Sequence, residues 1–373
     1  MILFITRKYP PSIGGMQRLS FRLTTEVARQ TDARTISWGR GQWGLPLFVA
    51  WAFCRALVYL ARRDVELIHI GDPVLCPLGR VLGWLARAPV AVTAHGLDVI
   101  YPSPIYQAMV RCCLPRMDRV ICISRDAWRE CINRGVQTAR CSNIPPGIDP
   151  CGPVSLPDAE RQALAARWGI PLRDRSVLLT SGRLVPRKGV ASFVAGVRPL
   201  LLAARDDWVY LVAGDGPERH TIEAVVARNG LSDHVRLLGA INDSDLAAAY
   251  ALADVFIMPN LPVPGTVEGF GIVVLEARAA GAPVVAAGIE GIREAAGGAD
   301  DSTLVPPGDW PAFDAAIETW LDRAEGIQAR ELRRQRVLAE FAWPRVAARY
   351  MAVFNEMTGR SGRSEDGVGV RRD

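Results

Sequence analysis

An α/β chain of two βα-repeating domains is the fold class this sequence predicts, and three observations predict it. Its 373 residues exceed what one ordinary hydrophobic core accommodates, so two domains of roughly 150 to 180 residues are expected. Short apolar runs alternate with amphipathic ones from the first residue, which is the pattern of βαβ units around mainly parallel sheets. Near the middle, the Pro- and Gly-rich run Pro150 to Pro157 interrupts that alternation and reads as a linker.

Composition narrows the class. A chain that is 49% hydrophobic and 22% charged suits a soluble globular protein. The net charge of +5 comes without a dense Lys/Arg run, which argues against a nucleic-acid partner and fits anionic substrates or an anionic membrane surface. No segment approaches the ~18 uncharged apolar residues that a spanning helix needs. The nearest, Leu45 to Leu60, contains Arg55. Met1 to Thr6 is strand-like and is followed, not preceded, by Arg7 and Lys8, unlike a signal peptide, so a cytoplasmic location is expected. The eight cysteines, at 54, 76, 112, 113, 122, 131, 141 and 151, form no C-x-x-C pair and read as buried reduced thiols. The histidines show no H-x-x-x-H spacing, and neither a metal site nor a cofactor is expected.

The first half opens on a strand, Ile2 to Thr6. The turn Tyr9-Pro-Pro-Ser-Ile-Gly-Gly15 then leads into a helix of about Met16 to Arg29. A Gly pair there lets the backbone approach a bound group at the carboxyl end of the sheet, where open α/β folds hold ligands, although a plain tight turn uses the same residues. The spacing is not G-x-G-x-x-G, so a dehydrogenase gains little support. Strands follow at about Arg34 to Trp38, Glu66 to Ile70, Val90 to Thr93, Arg119 to Ile123 and Arg140 to Ile144. Between them, helices at Leu45 to Arg63, Val81 to Arg87 and Met109 to Met117 mix bulky apolar with basic residues; such helices pack in a core or lie against lipid headgroups. His95 follows a strand's carboxyl end beside Gly96, where a side chain enters a cleft, so it is a candidate ligand contact as well as a structural histidine.

In the second half, Asp158 to Trp168 is helical and Ser176 to Ser181 is a new first strand. It runs into Gly182-Arg183-Leu184-Val185-Pro186-Arg187-Lys188-Gly189, where cations crowd beside glycines. Their mutual repulsion is unfavourable unless anions bind or solvent is plentiful. Arg183, with its planar fork, and Lys188, a point charge, are therefore read as diphosphate contacts, with a solvated loop as the plainer alternative. Val209 to Ala213 is a strand ending in the turn Gly214-Asp215-Gly216-Pro217, and His234 to Leu238, Asp254 to Met258, Pro283 to Ala286 and Thr303 to Val305 continue the sheet. Asp243-Ser244-Asp245 has the form of a D-x-D metal motif, but Asp243 sits where the N-cap of a helix Leu246 to Leu252 belongs, so no metal is assigned. Helices at about Trp310 to Arg323 and Gln328 to Phe341 precede a last one near Pro344 to Met357, with an apolar stripe of Val346, Tyr350, Val353, Phe354 and Met357. Gly359 to Asp373 is expected to be a disordered tail.

The chemistry concentrates in Glu268-Gly-Phe-Gly-Ile-Val-Val-Leu-Glu276. From Ile272 to Gly281 the residues read as a buried helix whose apolar face carries Glu276, at i+4 from Ile272 and i−4 from Ala280. A buried carboxylate needs partners, and the vicinal hydroxyls of a ribose would suit it. Gly269 and Gly271 flank the first turn, so a phosphate could come close to the N–H groups at the helix start. The plainer alternative makes Glu268 a solvated loop residue and Glu276 a core carboxylate paired to an Arg.

Together these stretches resemble the retaining family 4 glycosyltransferases of the GT-B fold, from Ile2 to about Met357. The most specific piece is the E-x7-E motif of Glu268 and Glu276. It is supported by Gly14-Gly15, His95-Gly96, Pro146-Gly147-Ile148-Asp149, the 182–189 segment and Gly214-Asp215-Gly216. The resemblance implies two Rossmann-like domains facing a central cleft: an acceptor-side domain at 1–150, a linker at 151–157, a donor domain at 158–343, and a helix at about 344–358 crossing back to the first domain. It implies transfer of a hexose from a nucleotide-diphosphate sugar to a glycan or lipid-linked acceptor, with retention and without a metal. In that scheme Glu276 binds the ribose, Glu268 the hydroxyls of the transferred sugar, Arg183 and Lys188 the diphosphate, and His95 the sugar from the opposite wall. Gly15, Gly214 and Gly271 give the donor backbone room, while Ile272 and Val273 offer N–H groups. Peripheral association with the inner face of the membrane is a further expectation, drawn from the basic aromatic helices. One departure leaves the donor sugar open: the family commonly carries Gly-Gly ahead of Pro-Glu where this chain has Glu290-Gly291-Ile292-Arg293-Glu294. A nucleotide-sugar-binding protein without turnover and a sugar-nucleotide epimerase are the alternatives.

Overall fold

The computed structural model describes residues 1–12, 14–39, 44–62, 64–150, 152–170, 172, 175–196, 207–323 and 325–360. The chain divides into two compact units, Met1–Gly147 with Trp343–Asp373, and Ile148–Ala342.

The first unit is a six-stranded sheet of β1 (Ile2–Thr6), β2 (Ala33–Ser37), β3 (Leu67–Ile70), β4 (Val90–Ala94), β5 (Arg119–Cys122) and β6 (Cys141–Asn143), in the order β2-β1-β3-β4-β5-β6 with every pairing parallel. β1, β3 and β4 are buried along their whole length, which is why their sequences are mostly apolar without alternation; the polar residues inside β3 and β4, His69 and Thr93, bond each other at 2.9 Å. The edge strands β2 and β6 are partly exposed and accordingly carry polar residues. The crossovers run through α1 (Gly15–Ala28), α2 (Leu45–Arg62), α3 (Cys76–Ala86), α4 (Leu97–Ile100), α5 (Pro104–Cys113) and α6 (Arg125–Ile132). The last helix among the described residues, here α13 (Trp343–Met357), completes this unit and not the second. Its Val346, Ala347, Tyr350 and Phe354 are buried, Phe354 meets Phe4 edge-on, and Tyr350 lies against His69. That is the return the resemblance implies, and residues of the apolar stripe make the contact.

The second unit repeats the plan with β7 (Ser176–Ser181), β8 (Trp208–Ala213), β9 (Val235–Gly239), β10 (Val255–Met258), β11 (Val284–Ala287) and β12 (Ser302–Val305), ordered β12-β11-β10-β7-β8-β9 and again parallel. Its labelled helices are α7 (Asp158–Trp168), α8 (Arg219–Arg228), α9 (Asp243–Leu252), α10 (Ile272–Ala279), α11 (Ile292–Ala296) and α12 (Trp310–Asp322); Ile327–Phe341 forms one more, between α12 and α13.

Several sequence expectations are corrected. The N-cap of α9 is Asn242, whose Oδ1 accepts the Asp245 N–H at 2.9 Å; Asp243 is the first helical residue, and the helix begins one turn earlier than expected. Cys54 and Cys112 are exposed, so burial does not hold for all the thiols; the described cysteines are free, and Cys151 lies outside the described residues. The 152–157 stretch is not a loose linker. The boundary falls at Gly147, Val154 is buried, and Arg330 and Arg334 donate to the Val154 and Gly152 carbonyls at 2.7 Å each. By length and composition α2 does suffice to cross a membrane despite Arg55, and only Phe48, Ala52 and Ala56 of it are buried. Arg63 and the tail expected from Gly359 onward lie outside the described residues, save for 359 and 360.

Candidate functional site

In open parallel sheets the carboxyl ends of two strands diverge where the strand order reverses, and that crevice is the natural ligand site. In the second unit the reversal lies between β7 and β10. The segment after β7 supplies Arg187 and Lys188, and the segment after β10 supplies Asn260 and Glu268. Three donors converge on one atom: Lys188 Nζ at 2.8 Å, Asn260 Nδ2 at 3.1 Å and Arg187 Nη1 all bond Glu268 Oε2. Among the described residues none bonds Oε1. Glu268 is 13% exposed, and burial pushes its pKa up; Lys188 and Arg187 outweigh that and hold it at about 2. Glu268 is therefore an ionised acceptor with one oxygen engaged and the other without a donor among the described residues.

Eight residues on, Glu276 sits buried on α10, as its spacing required. Its Oε2 accepts from Tyr250 Oη at 2.7 Å. The tyrosine has spent its only proton there, so Ser181 Oγ, 2.6 Å from Tyr250 Oη, must be the donor in that pair. This chain of hydroxyls ties Glu276 to the end of β7, beside Gly182. At the start of α10, Gly271 adopts a left-handed φ of 77°, and the N–H groups of Ile272 and Val273 have no acceptor in the preceding turn of helix. Gly214 is explained differently. A Cβ there would collide with the Gly182 carbonyl, because the turns after β7 and β8 touch backbone to backbone. Arg183 is exposed.

In the first unit the reversal lies between β1 and β3. Arg7 Nε, just after β1, approaches the fully buried Asp72 Oδ2, just after β3, at 2.9 Å. His95, just after β4, is 6% exposed; its Nε2 donates to the Gly71 carbonyl at 3.0 Å, and its N–H donates to Asp98 Oδ1 at 2.8 Å. A carbonyl only accepts, so the proton is on Nε2. Burial lowers the pKa of His95 against the opposing pull of Gly71, and burial raises that of Asp98 to about 7. Gly15 opens α1 with free space at its missing Cβ.

Within the second unit the structure thus brings Lys188 to Glu268 and sets Glu276 on its own polar chain. Arg187, Asn260, Tyr250 and Glu290 complete the two clusters. Arg187 was visible only as one of several cations, and Asn260, Tyr250 and Glu290 carry no local signal because distant strands bring them in. A cavity of about 990 Å³ lies at the other end of this sheet, near Ser176, Asp254 and Pro283. Its Arg161, Arg175 and Arg330 are spent on backbone carbonyls, so it is a poor candidate for the chemistry. Among the described residues no group of three or more His, Cys, Asp or Glu could hold a metal ion.

Comparison with known proteins gives a concordant picture. Residues 3–147 match the model of the glycosyl transferase 4-like domain, and residues 164–336 that of glycosyl transferases group 1. A 2-deoxystreptamine glucosyltransferase of Streptomyces kanamyceticus is 29% identical over 367 residues, 94% of this chain and 93% of that protein. A GDP-mannose-dependent alpha-(1-6)-phosphatidylinositol monomannoside mannosyltransferase of Mycobacterium tuberculosis is 31% identical over 301 residues, 78% and 76% of the two chains. The crystal structure of Anabaena HepE in complex with UDP superposes with a TM-score of 0.75 at 18% identity, covering 95% of this chain and 99% of that one.

Proposed function

Because this chain belongs to the glycosyl transferases group 1 family, and is a glycosyltransferase with the two-domain α/β GT-B fold, we propose that it moves a hexose from a nucleotide-diphosphate sugar to a glycan or lipid-linked acceptor, with retention and without a metal. The observation that carries this reading is the convergence on Glu268: an ionised carboxylate held on one oxygen by Lys188, Arg187 and Asn260, which leaves its second oxygen to take a hydroxyl of the sugar. Glu268 would take the hydroxyls of the transferred sugar and Glu276 those of the ribose. Lys188, Arg187 and Arg183 would face the diphosphate together with the N–H groups of Ile272 and Val273, with Gly271 and Gly214 shaping the turns. On the first unit, Gly15 would leave room for the leaving phosphate and His95 would meet the sugar.

The chemistry follows from those charges. As the C1–O bond breaks, its electron pair passes to the diphosphate, where fixed cations and N–H dipoles lower the barrier. The acceptor hydroxyl attacks C1 on the same face, and its proton goes to the departing phosphate oxygen. The test is nucleotide release from UDP-, GDP- and ADP-sugars with a broad acceptor panel. Donor consumed with product of unchanged anomeric configuration supports the reading; inversion, or turnover abolished by chelators, rejects those parts of it.

The acceptor side of the proposal rests on the first unit. α3 packs against both α2 and α5, and these helices contain no acidic residue. Leu47, Trp51, Val81, Trp84 and Ile105 are exposed on them beside Arg55 and Arg80. A basic, apolar face of this kind suits an anionic bilayer, which favours a cytoplasmic protein at the inner face of the membrane and a membrane-borne acceptor.

A further inference from the structure

We propose that Glu290 is a positioning residue for Glu268, acting on its backbone and not on the ligand. Glu290 lies in the turn between β11 and α11, with φ of 46°. That left-handed conformation crowds a Cβ against the following carbonyl and is glycine's territory. Among the described non-glycine residues only Arg87 shares it, and Arg87 closes the C-terminus of α3, where such a cap is ordinary. Glu290 closes no helix. It precedes Gly291, the N-cap of α11, so local structure gives no reason for a glutamate there.

The tertiary structure gives one. A Cβ on Gly291 would meet the Gly269 carbonyl and Phe270 Cα at 2.6 Å, so the turn is pressed against the chain immediately after Glu268. From that turn the Glu290 carboxylate reaches back and accepts the N–H of Glu268 itself. Glu268 is thereby held at both ends: its main chain by Glu290, its Oε2 by Lys188, Arg187 and Asn260. With the main chain and one oxygen held, the direction of Oε1 is set. Glycine at 290 would relax the turn and release that N–H, so the disfavoured backbone is retained for its carboxylate.

The experiment compares E290G and E290Q with the wild-type chain by hydrogen exchange of the Glu268 segment, thermal unfolding, and kcat and KM on the best nucleotide sugar of the panel. E290Q keeps an acceptor oxygen and is expected to retain protection and a kcat within about threefold of wild type. E290G is expected to exchange at least about tenfold faster there, to unfold at the same or a higher temperature, and to lose kcat by about 10- to 100-fold with donor KM little changed, since a freed carboxylate is misplaced rather than removed. Wild-type exchange and kcat in E290G, or E290Q no better than E290G, would overturn the proposal. Only the kinetic arm rests on the transferase reading: a wild-type chain that turns over no nucleotide sugar sinks that reading, while the exchange arm still decides the role of Glu290.

Discussion

Glu268 joins the electrostatics of the site to the stability of the second unit. Its pKa of about 2 lies below the ordinary value of 4.5, so as pH falls the unfolded chain takes up the proton first. Stability contributed by the pair is complete above about pH 4.5 and lost as the pH falls through about 2. Thermal unfolding followed from pH 5 to 2.5 should therefore decline less steeply in E268Q than in wild type; parallel curves would show that the pairing adds nothing. Replacing Lys188 by alanine leaves Arg187 on the same carboxylate, so the fold should survive while transfer falls by about 10²- to 10³-fold, the usual loss of a fixed charge at a leaving group. Wild-type turnover in K188A would exclude that role. The cations are legible as a cluster in the sequence, which points to Arg183 and Lys188, whereas Glu268 is read from its own stretch. That Arg187 shares the contact of Lys188 with Glu268 is not legible there, because which of three neighbouring cations turns inward depends on the short helical turn Pro186–Lys188.

Among the elements, α2, α3 and α5 invite the clearest test. The hydropathy pattern alone cannot separate a core helix from one that lies against lipid, since both are rich in bulky apolar residues. Side-chain exposure separates them: Trp84 is 78% exposed and Ile105 85%, values foreign to a core helix. Cosedimentation with phosphatidylglycerol vesicles at low salt is expected for the wild-type chain and is expected to fall several-fold in a double W51S/W84S variant, with neutral vesicles binding less. Equal binding to neutral vesicles would remove the arginines from the argument, and no binding to either would remove the face itself. For α9, the sequence shows that a helix ends at Leu252 but starts it one turn late and at the wrong cap. Asn242 and Asp243 are both good caps, and only the approach of the Asp245 N–H decides between them.

For the molecule as a whole, the last described helix belongs to the unit in which the chain began. Trp343, 2% exposed, opens that helix and lies against Gly147, where a Cβ would meet the indole at 2.5 Å. Emptying such a site should cost about 3–5 kcal/mol, so W343A should lower the unfolding temperature of the first unit by several degrees, and G147A should also destabilise it by overpacking. A W343A chain that melts like wild type would mean that the helix contributes little to that unit.

Chain length pointed to two domains, and local pattern by itself determined the alternation of strand and helix, the spacing of Glu268 and Glu276 and the glycine turns, because each of these is written in the spacing of neighbouring residues. Tertiary structure alone decided what those residues do to one another. Strand order put the turns after β7 and β10 side by side, and with them Lys188, Asn260 and Glu268. It also gave Glu276 a tyrosine 26 residues away and the Glu268 main-chain N–H a carboxylate acceptor 22 residues away. Contacts between residues so far apart along the chain depend on which strands pair, and pairing is a property of the folded sheet that no window of sequence contains.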